Sequence, residues 1–255
     1  MRLAHTGGLH VRHPTAELVA MAEDSKKRKL LFWSGETQKD MGPIKLADWV
    51  RPLWTSARDG DWAKVLEIVP IYENSVTERC WPVVNACCPF HGSQYSLLHF
   101  AAHLGAPKEI VSRLLEMGAW RSLQNARGER PVDLARKHNH GHLSSILEPE
   151  YKRYVPLGIL LRMQERFHEA LRRWDNLHRM FDKYRFRLPQ LEPMLEVEPV
   201  EFRFAVETWV GGFNYELVED GLDPRLICFG ASRVSGGTVG KIEVTPAGVK
   251  SLPWR

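Results

Sequence analysis

The sequence predicts an α+β fold, in which a stack of about three helix pairs is followed by one long helix and a small C-terminal antiparallel β-sheet. Three observations predict this arrangement. Short segments of similar pattern recur within residues 51–150, apolar side chains then recur at three- and four-residue steps, and beyond Pro199 the apolar period falls to two. A period near 3.6 is typical of a helix, and a period of two is typical of a half-buried strand.

At 255 residues the chain is long enough for one large domain or two smaller ones. Its apolar content is near average, so it can build a sizeable core. The predicted divisions are a helical N-terminal extension or cap over 1–50, repeats over 51–150 with an insertion at about 70–91, a long helix over 151–190, and an antiparallel β module over 191–255.

The first 50 residues are predicted to extend the helical stack. Thr15 is a suitable N-cap for a helix that carries the apolar segment Leu18–Met21. The segment Ile44–Val50, between two prolines, is predicted to pack on the first repeat as a cap. The cluster Lys26–Lys29 is typical either of a localisation or phosphate-binding signal or of a solvated helix end, and we prefer the helix end.

The clearest repeat occupies Tyr95–Leu115. The segment LHFAA, from Leu98 to Ala102, begins one helix, Gly105 reverses the chain, and a second apolar stripe follows before Gly118-Ala119. A helix pair of this kind cannot bury its apolar face without stacked neighbours. The segment resembles an ankyrin repeat, and the resemblance implies a concave surface that binds another macromolecule.

Two weaker copies flank this repeat. Downstream by 34 residues, Val132 corresponds to Leu98, and Asn139 takes the place of the turn glycine Gly105. Asparagine tolerates the left-handed turn conformation, so the exchange is physically reasonable. Upstream by 45 residues, the same spacing is kept by Leu53, Ala57 and Gly60. Three copies are about the minimum for a stable stack.

The remainder of the chain divides into a helix and a sheet. From Leu157 an apolar face recurs at helical steps and predicts one long helix that ends at the prolines 189 and 193; its positions are Leu160, Met163, Phe167, Leu171, Trp174, Phe181 and Leu188. Four alternating segments then predict the strands, which lie near 200–206, 213–217, 226–234 and 241–245.

Composition and charge exclude several classes of protein. The N-terminus lacks the apolar region of a secretory signal, and no run approaches the ~18 apolar residues of a membrane span. The four cysteines form no regular framework, which favours a reducing cytoplasm. The net charge of +4 makes nucleic-acid binding a minor alternative. Basic Lys152–Arg187 precedes acidic Glu192–Asp223, which predicts either two segments that pack together or a basic docking face.

Residues from about Gly128 onward resemble bacterial ankyrin-repeat-containing proteins whose repeats continue into a C-terminal module. The matching motifs are GERPVDLAR at Gly128–Arg136, FRLPQLEPMLEVE at Phe186–Glu198, GGFNYEL at Gly211–Leu217 and SRVSGGTVGKIEVTPAGV at Ser232–Val249. The chain departs from the family at Glu207–Phe213, where it has ETWVGGF instead of PGMYGGF. The resemblance implies a fold and supplies no catalytic residues.

Two clusters have the residue types of a metal site. Cys80, Cys87, Cys88 and His91 are close in sequence, but adjacent cysteines rarely ligate one zinc ion, so buried thiols are the preferred interpretation. The triplet His138, His140 and His142 is also ligand-like, although it flanks a repeat turn. No hydrolase, metalloprotease or complete P-loop motif is present, and no cofactor is predicted.

Partner-binding positions in such a stack lie at the hairpin tips and at the exposed end of each first helix. Trp120 and Arg121 are of the types that most often anchor interfaces, although Trp120 alternatively folds onto the neighbouring insertion. The complete predicted set is Arg58, Asp59, His103, Leu104, Trp120, Arg121, Gln124, Arg127, Glu129, Lys137 and His138.

These patterns favour a cytoplasmic, non-enzymatic protein that docks another protein. An antagonist or immunity-type protein that masks a toxin or effector is the first interpretation, and an adaptor is the second. The alternatives are a metal-dependent or thiol enzyme centred on the cysteine-rich insertion and a polynucleotide binder that uses the basic segment 152–187. No membrane association is expected, and the oligomeric state is left open.

Overall fold

The computed structural model describes residues 31–33, 35, 46–74, 83–174, 177–206, 211–219, 223–232 and 237–253. The fold is α+β, as the sequence predicts. Its elements in chain order are β1 (Leu31–Trp33), α1 (Leu46–Asp59), α2 (Trp62–Asn74), α3 (Leu97–Leu104), α4 (Lys108–Glu116), α5 (Pro131–Lys137), α6 (Ser144–Leu147), α7 (Leu157–Arg173), α8 (His178–Lys183), β2 (Phe202–Val206), β3 (Gly211–Val218), β4 (Arg225–Ser232), β5 (Gly237–Val244) and β6 (Val249–Ser251).

The helices α1 to α6 form three consecutive pairs. The first helices of the pairs contact one another in the order α1, α3, α5, and the second helices do so in the order α2, α4, α6. Leu53, Leu98 and Val132 occupy corresponding places in the first helices and are 0%, 0% and 1% exposed. The core between the pairs therefore repeats with the offsets read from the sequence.

The same turn closes the first helix of each pair. Gly60, Gly105 and Asn139 have φ values of 75°, 64° and 61°, in the left-handed region. The residue after each one donates its backbone N–H to the carbonyl five positions back, and the bonds are Asp61 to Ser56 at 2.9 Å, Ala106 to Ala101 at 2.9 Å and His140 to Ala135 at 2.8 Å. This bond satisfies a carbonyl that the helix end would otherwise leave unpaired.

The long helix predicted over 151–190 is wrong in its length, because two helices occupy this stretch. Helix α7 ends at Arg173, where Trp174 turns to an extended backbone conformation, and α8 begins at His178. The break places both aromatic rings on the sheet: Trp174 lies 5.2 Å from Phe213 and Phe181 lies 6.1 Å from Phe204, measured between ring centroids. Packing against the sheet thus overrides the continuous helical pattern.

Among the described residues, six strands form one sheet in sequence order, and β2 to β6 are antiparallel. The four predicted strands correspond to β2–β5, whereas β1 and β6 were not predicted. Strand β1 pairs in parallel with β2, with Leu31 opposite Phe202. The prediction of a helical extension is therefore wrong for Leu31–Trp33. Thr15, Leu18–Met21 and Lys26–Lys29 lie outside the described residues.

The start of the first helix also differs from the prediction. Residues 46–50 do not form a separate cap, because α1 begins at Leu46 and continues through Pro52. Pro52 is the seventh residue of this helix, so the helix lacks the backbone hydrogen bond that this position would otherwise donate. Within the described part of the chain, no helix is both long and apolar enough to cross a lipid bilayer.

Candidate functional site

The loop that follows α4 packs against other parts of the same chain. Trp120 is only 5% exposed, and its ring lies 6.2 Å from the ring of Trp33 and 5.7 Å from that of Phe202. The prediction that Trp120 anchors a partner is therefore wrong. Its ring shares a core with Cys87 of the insertion as well as with the sheet, and Asn85 of the insertion accepts the backbone N–H of Trp120 at 2.9 Å.

Arg121 and Gln124 are also committed to contacts within the chain. The carboxylate of Glu196 accepts the backbone N–H of Arg121 at 2.9 Å and both the N–H and the hydroxyl of Ser122, at 2.7 and 2.5 Å. Burial raises the pKa of this carboxyl above its usual range. The amide of Gln190 exchanges two 2.9 Å hydrogen bonds with the backbone of Gln124. Neither predicted residue is a free partner contact.

Arg187 completes this internal interface. Its Nη2 donates to the carbonyls of Gln124 and Asn125 at 2.5 and 3.2 Å, and its Nη1 lies 3.2 Å from the sulfur of Cys87. The loop after α4 therefore joins the helix pairs to the sheet half of the chain. The sequence offered no local signal for this junction, because Arg187 and its partners are far apart in the chain.

The cysteine-rich candidate site is divided between two cores. The Cys87 side chain packs with Trp33, Trp120 and the sheet, whereas Cys88 packs among the helix pairs. Burial raises the pKa of the Cys88 thiol to about 11, so it is a poor metal ligand or nucleophile. His91 Nδ1 accepts the Ser93 N–H at 3.3 Å. Cys80 lies outside the described residues, which include no group of three or more metal-ligand side chains.

Two of the three ligand-like histidines tie the third helix pair to the second. His140 Nε2 donates to the carbonyl of His103 at 3.1 Å, and His142 Nε2 lies 3.3 Å from the carbonyl of Ala106. A Cβ on Gly105 would lie 2.5 Å from His140 Nδ1, so glycine leaves the room that this ring occupies. The arrangement is that of packing residues.

The remaining predicted positions lie together at the ends of the first helices and in the hairpin before α5. We call them the tip surface, which consists of Arg58, Asp59, His103, Leu104, Arg127, Glu129, Lys137 and His138. Leu104 is 42% exposed and lies over Gly60 of the preceding pair. The rings of His103 and His138 are 4.3 Å apart. Local sequence spacing was sufficient to find this surface.

Ion pairs organise the charges of the tip surface. Lys137 Nζ lies 2.7 Å from Glu129 Oε1, and Arg58 Nε lies 2.8 Å from Asp59 Oδ1. Hydrogen bonds from Asn125 and then Lys137 lower the pKa of the Glu129 carboxyl. Both predicted carboxylates are therefore already paired with cations of the chain.

Tyr95, which is only 4% exposed, and the half-buried His91 lie against the rings of this surface, and neither is among the predicted positions. The Tyr95 ring lies 4.3 Å from that of His91 and 5.7 Å from that of His103. The four-residue steps from Tyr95 to His99 and His103 were the available signal, since such steps place side chains on one face. Burial lowers the pKa of both His91 and His103.

No family model matches the chain, and no curated protein is significantly similar to it. A function for this chain is therefore argued from its own geometry.

Proposed function

We propose that the three helix pairs are an ankyrin-repeat stack and that the chain is a cytoplasmic, non-enzymatic protein that docks a protein partner through its tip surface. The observation that carries the proposal is the turn shared by Gly60, Gly105 and Asn139, with its identical backbone hydrogen bond. Because each turn directly follows the exposed end of a first helix, three turns in register form one continuous row of tips.

The composition of the row supports a macromolecular partner. Leu104 exposes its side chain on a surface whose other members are charged or polar, and an apolar residue inside a polar rim is typical of a protein interface. Within this class, an antagonist or immunity-type protein that masks a toxin or effector is our first assignment, and an adaptor is the second. The resemblance of Gly128–Arg136 to repeat-containing bacterial proteins favours the same class.

The alternative functions find less support. An enzyme centred on the insertion needs reactive thiols that act together, but Cys87 and Cys88 lie in different cores. A polynucleotide binder needs free cations on segment 152–187. Two cations of this segment are paired with carboxylates of the acidic segment: Lys152 lies 3.4 Å from Glu198, and buried Arg153 lies 2.6 Å from Glu219. Basic and acidic segments pack together, which was one of the two interpretations of their charge.

Two exposed leucines provide a matched test. Leu104 lies on the tip surface and is 42% exposed, whereas Leu161 lies on α7 and is 49% exposed. The wild-type chain, immobilised and incubated with lysate of its source cell, is expected to capture a protein at about one copy per chain. Leu161→Asp should retain that protein and Leu104→Asp should lose it. Equal capture by both variants, or turnover of a small molecule by the purified chain, would contradict the proposal.

A further inference from the structure

A continuous group of rings lies at one end of the tip surface. The centroid of Tyr95 is 4.3 Å from His91 and 5.7 Å from His103, and the centroid of His103 is 4.3 Å from His138. We call these four residues the histidine face. They come from three separate segments: the loop before α3, helix α3 itself, and the end of α5. The stack of helix pairs is what brings them together.

Charges of both signs surround the histidine face. The hairpin contributes Arg127 and Glu129, and α5 contributes Lys137. Arg127 is exposed, and its guanidinium makes no hydrogen bond or ion pair with the described residues. Glu129 is occupied by Lys137 at 2.7 Å and by Asn125 at 2.9 Å. The guanidinium of Arg127 is therefore a cation that makes no ion pair with the described residues and lies beside the histidine rings.

The pKa values of His91 and His103 lie below the usual histidine value. Burial comes first and Arg127 second among the causes that lower the pKa of His91. For His103 the causes are burial, then His138, His91, His140 and Lys137. His103 Nδ1 is buried and has no hydrogen-bond partner among the described residues. The charged neighbours disfavour the protonated rings, so an added anion would oppose these charge effects while the effect of burial remains.

We propose that the histidine face and Arg127 bind an acidic segment of the partner protein, and that this binding strengthens as the pH falls. The inference rests on the proposed docking function and specifies the chemistry of the partner. Carboxylates of Asp or Glu side chains accept hydrogen bonds from the guanidinium and from protonated imidazoles. The partner's negative charge favours the imidazolium form, so complex formation takes up protons.

The same geometry disfavours a polynucleotide. A phosphate backbone needs a row of uncompensated cations, and its affinity comes from neutralising many phosphates at once. Here carboxylates interrupt the row: Asp59 at the first tip, Glu129 in the hairpin and Asp133 on α5. A short acidic peptide segment needs only Arg127 and a few imidazoles, and it can avoid these positions.

A labelled peptide tests this chemistry without knowledge of the partner. The probe is a fluorescein-labelled peptide of about ten residues that alternates Glu and Gly, and the control peptide has Gln in place of Glu. The wild-type chain is expected to bind only the Glu peptide, about three- to tenfold more tightly at pH 6 than at pH 8, since uptake of one proton changes affinity by at most about tenfold per pH unit. NMR signals of the histidine rings should shift on binding.

Variants separate the contribution of the Arg127 guanidinium from that of the histidine rings. Arg127→Gln is expected to weaken binding about tenfold at both pH values, because a charge-assisted bond is lost. The triple change His91→Gln, His103→Gln and His138→Gln should leave binding at pH 8 unchanged and remove the increase at pH 6. The matched control is Arg113→Gln on α4, where Arg113 is exposed and pairs with Glu116 at 2.7 Å. This change should have no effect.

Several results would overturn the inference. They are equal binding of the Gln peptide, equal losses for Arg127→Gln and Arg113→Gln, no ring shifts at millimolar Glu peptide, or tighter binding of a single-stranded RNA of the same length. The leucine experiment reports separately on the docking function. If Leu104→Asp abolishes capture but the Glu peptide never binds, the docking function stands and the acidic partner is rejected.

Discussion

Trp120 stacks on Trp33, with ring centroids 6.2 Å apart and ring planes inclined by 17°. Trp120 follows the second helix pair and Trp33 lies in the first strand of the sheet, so one contact joins the two halves of the molecule. Leu123 and Cys87 enter the same core from the helical side. The two halves are therefore expected to unfold together.

Replacing Trp120 with alanine should destabilise the chain by about 3–5 kcal/mol, the range for a large aromatic residue removed from a core. Urea unfolding, followed by circular dichroism and by tryptophan fluorescence, would measure the change. Leu104→Ala is the control, and its exposed side chain should contribute less than about 1 kcal/mol. A loss below 1 kcal/mol for Trp120→Ala would mean that the junction is not a cooperative core.

The parts of the structure that sequence predicted are those with local causes. Leu53, Leu98 and Val132 recur because each helix must bury one face, and Gly105 and Asn139 mark turns because few residues adopt positive φ. The side chain of Leu104 is exposed because it lies beside the turn at Gly105, and that of Arg127 is exposed because it lies in the hairpin before α5. Such features depend on neighbours a few residues away, so a single sequence carries them.

The failures have nonlocal causes. Strand β1 has only three residues and owes its conformation to pairing with β2, far along the chain. No periodicity can appear in so short a segment. The loop-tip position and residue type of Trp120 favour a surface contact, whereas its partner Trp33 lies far away in the chain. The prediction that Arg121 and Gln124 contact a partner is wrong for the same reason. Their partners Glu196 and Gln190 approach them only in the folded chain.

The carboxylate of Glu196 should be essential to the junction. Glu196→Ala leaves the backbone N–H groups of Arg121 and Ser122 without acceptors, which is expected to destabilise the chain by about 2–3 kcal/mol. The control is Glu198→Ala, because Glu198 is 77% exposed and makes only a surface pair with Lys152. Its change should stay within about 0.5 kcal/mol. Equal effects on the free energy of unfolding would show that burial of Glu196 contributes nothing.

Gly105 should be intolerant of a side chain for two separable reasons. Its φ of 64° is unfavourable for alanine, and the new Cβ would lie 2.5 Å from His140 Nδ1. Gly118 shares only the first problem, since its φ is 91° and nothing lies within 4 Å of an added Cβ. We expect thermal or urea unfolding to show a loss of about 1–2 kcal/mol for Gly118→Ala and about 2–4 kcal/mol for Gly105→Ala.

The contact with His140 can be isolated by a double change. His140→Ala alone should destabilise by about 1 kcal/mol, because its bond to the His103 carbonyl is lost. In the Gly105→Ala background the same change removes the steric conflict. The double variant should therefore be at least about 1 kcal/mol more stable than the two single effects predict when added. Strict additivity would contradict the close approach of ring and glycine.

His99 should make stability depend on pH. Its ring is fully buried, Nδ1 accepts the Ser96 N–H at 3.2 Å, and Nε2 lies 3.1 Å from the Glu129 carbonyl, which can only accept. These bonds require the neutral ring with its proton on Nε2. Burial lowers the pKa of His99 from 6.5 to about 3. The neutral ring's contribution to stability is therefore complete above pH 6.5 and is lost as the pH falls below it.

Comparison with His99→Gln isolates this effect. Between pH 7 and pH 5 the wild type should lose about 2 kcal/mol that the variant does not lose, provided only that the folded pKa lies below 5. All other histidines are common to both proteins, so their titration cancels in the difference. Urea unfolding at each pH measures the gap, and a gap that stays constant would contradict the prediction. If His99→Gln does not fold, NMR titration of the wild-type ring gives the same answer: its signals should remain those of neutral imidazole down to pH 5, because protonation would place a second N–H against the backbone N–H of Ser96.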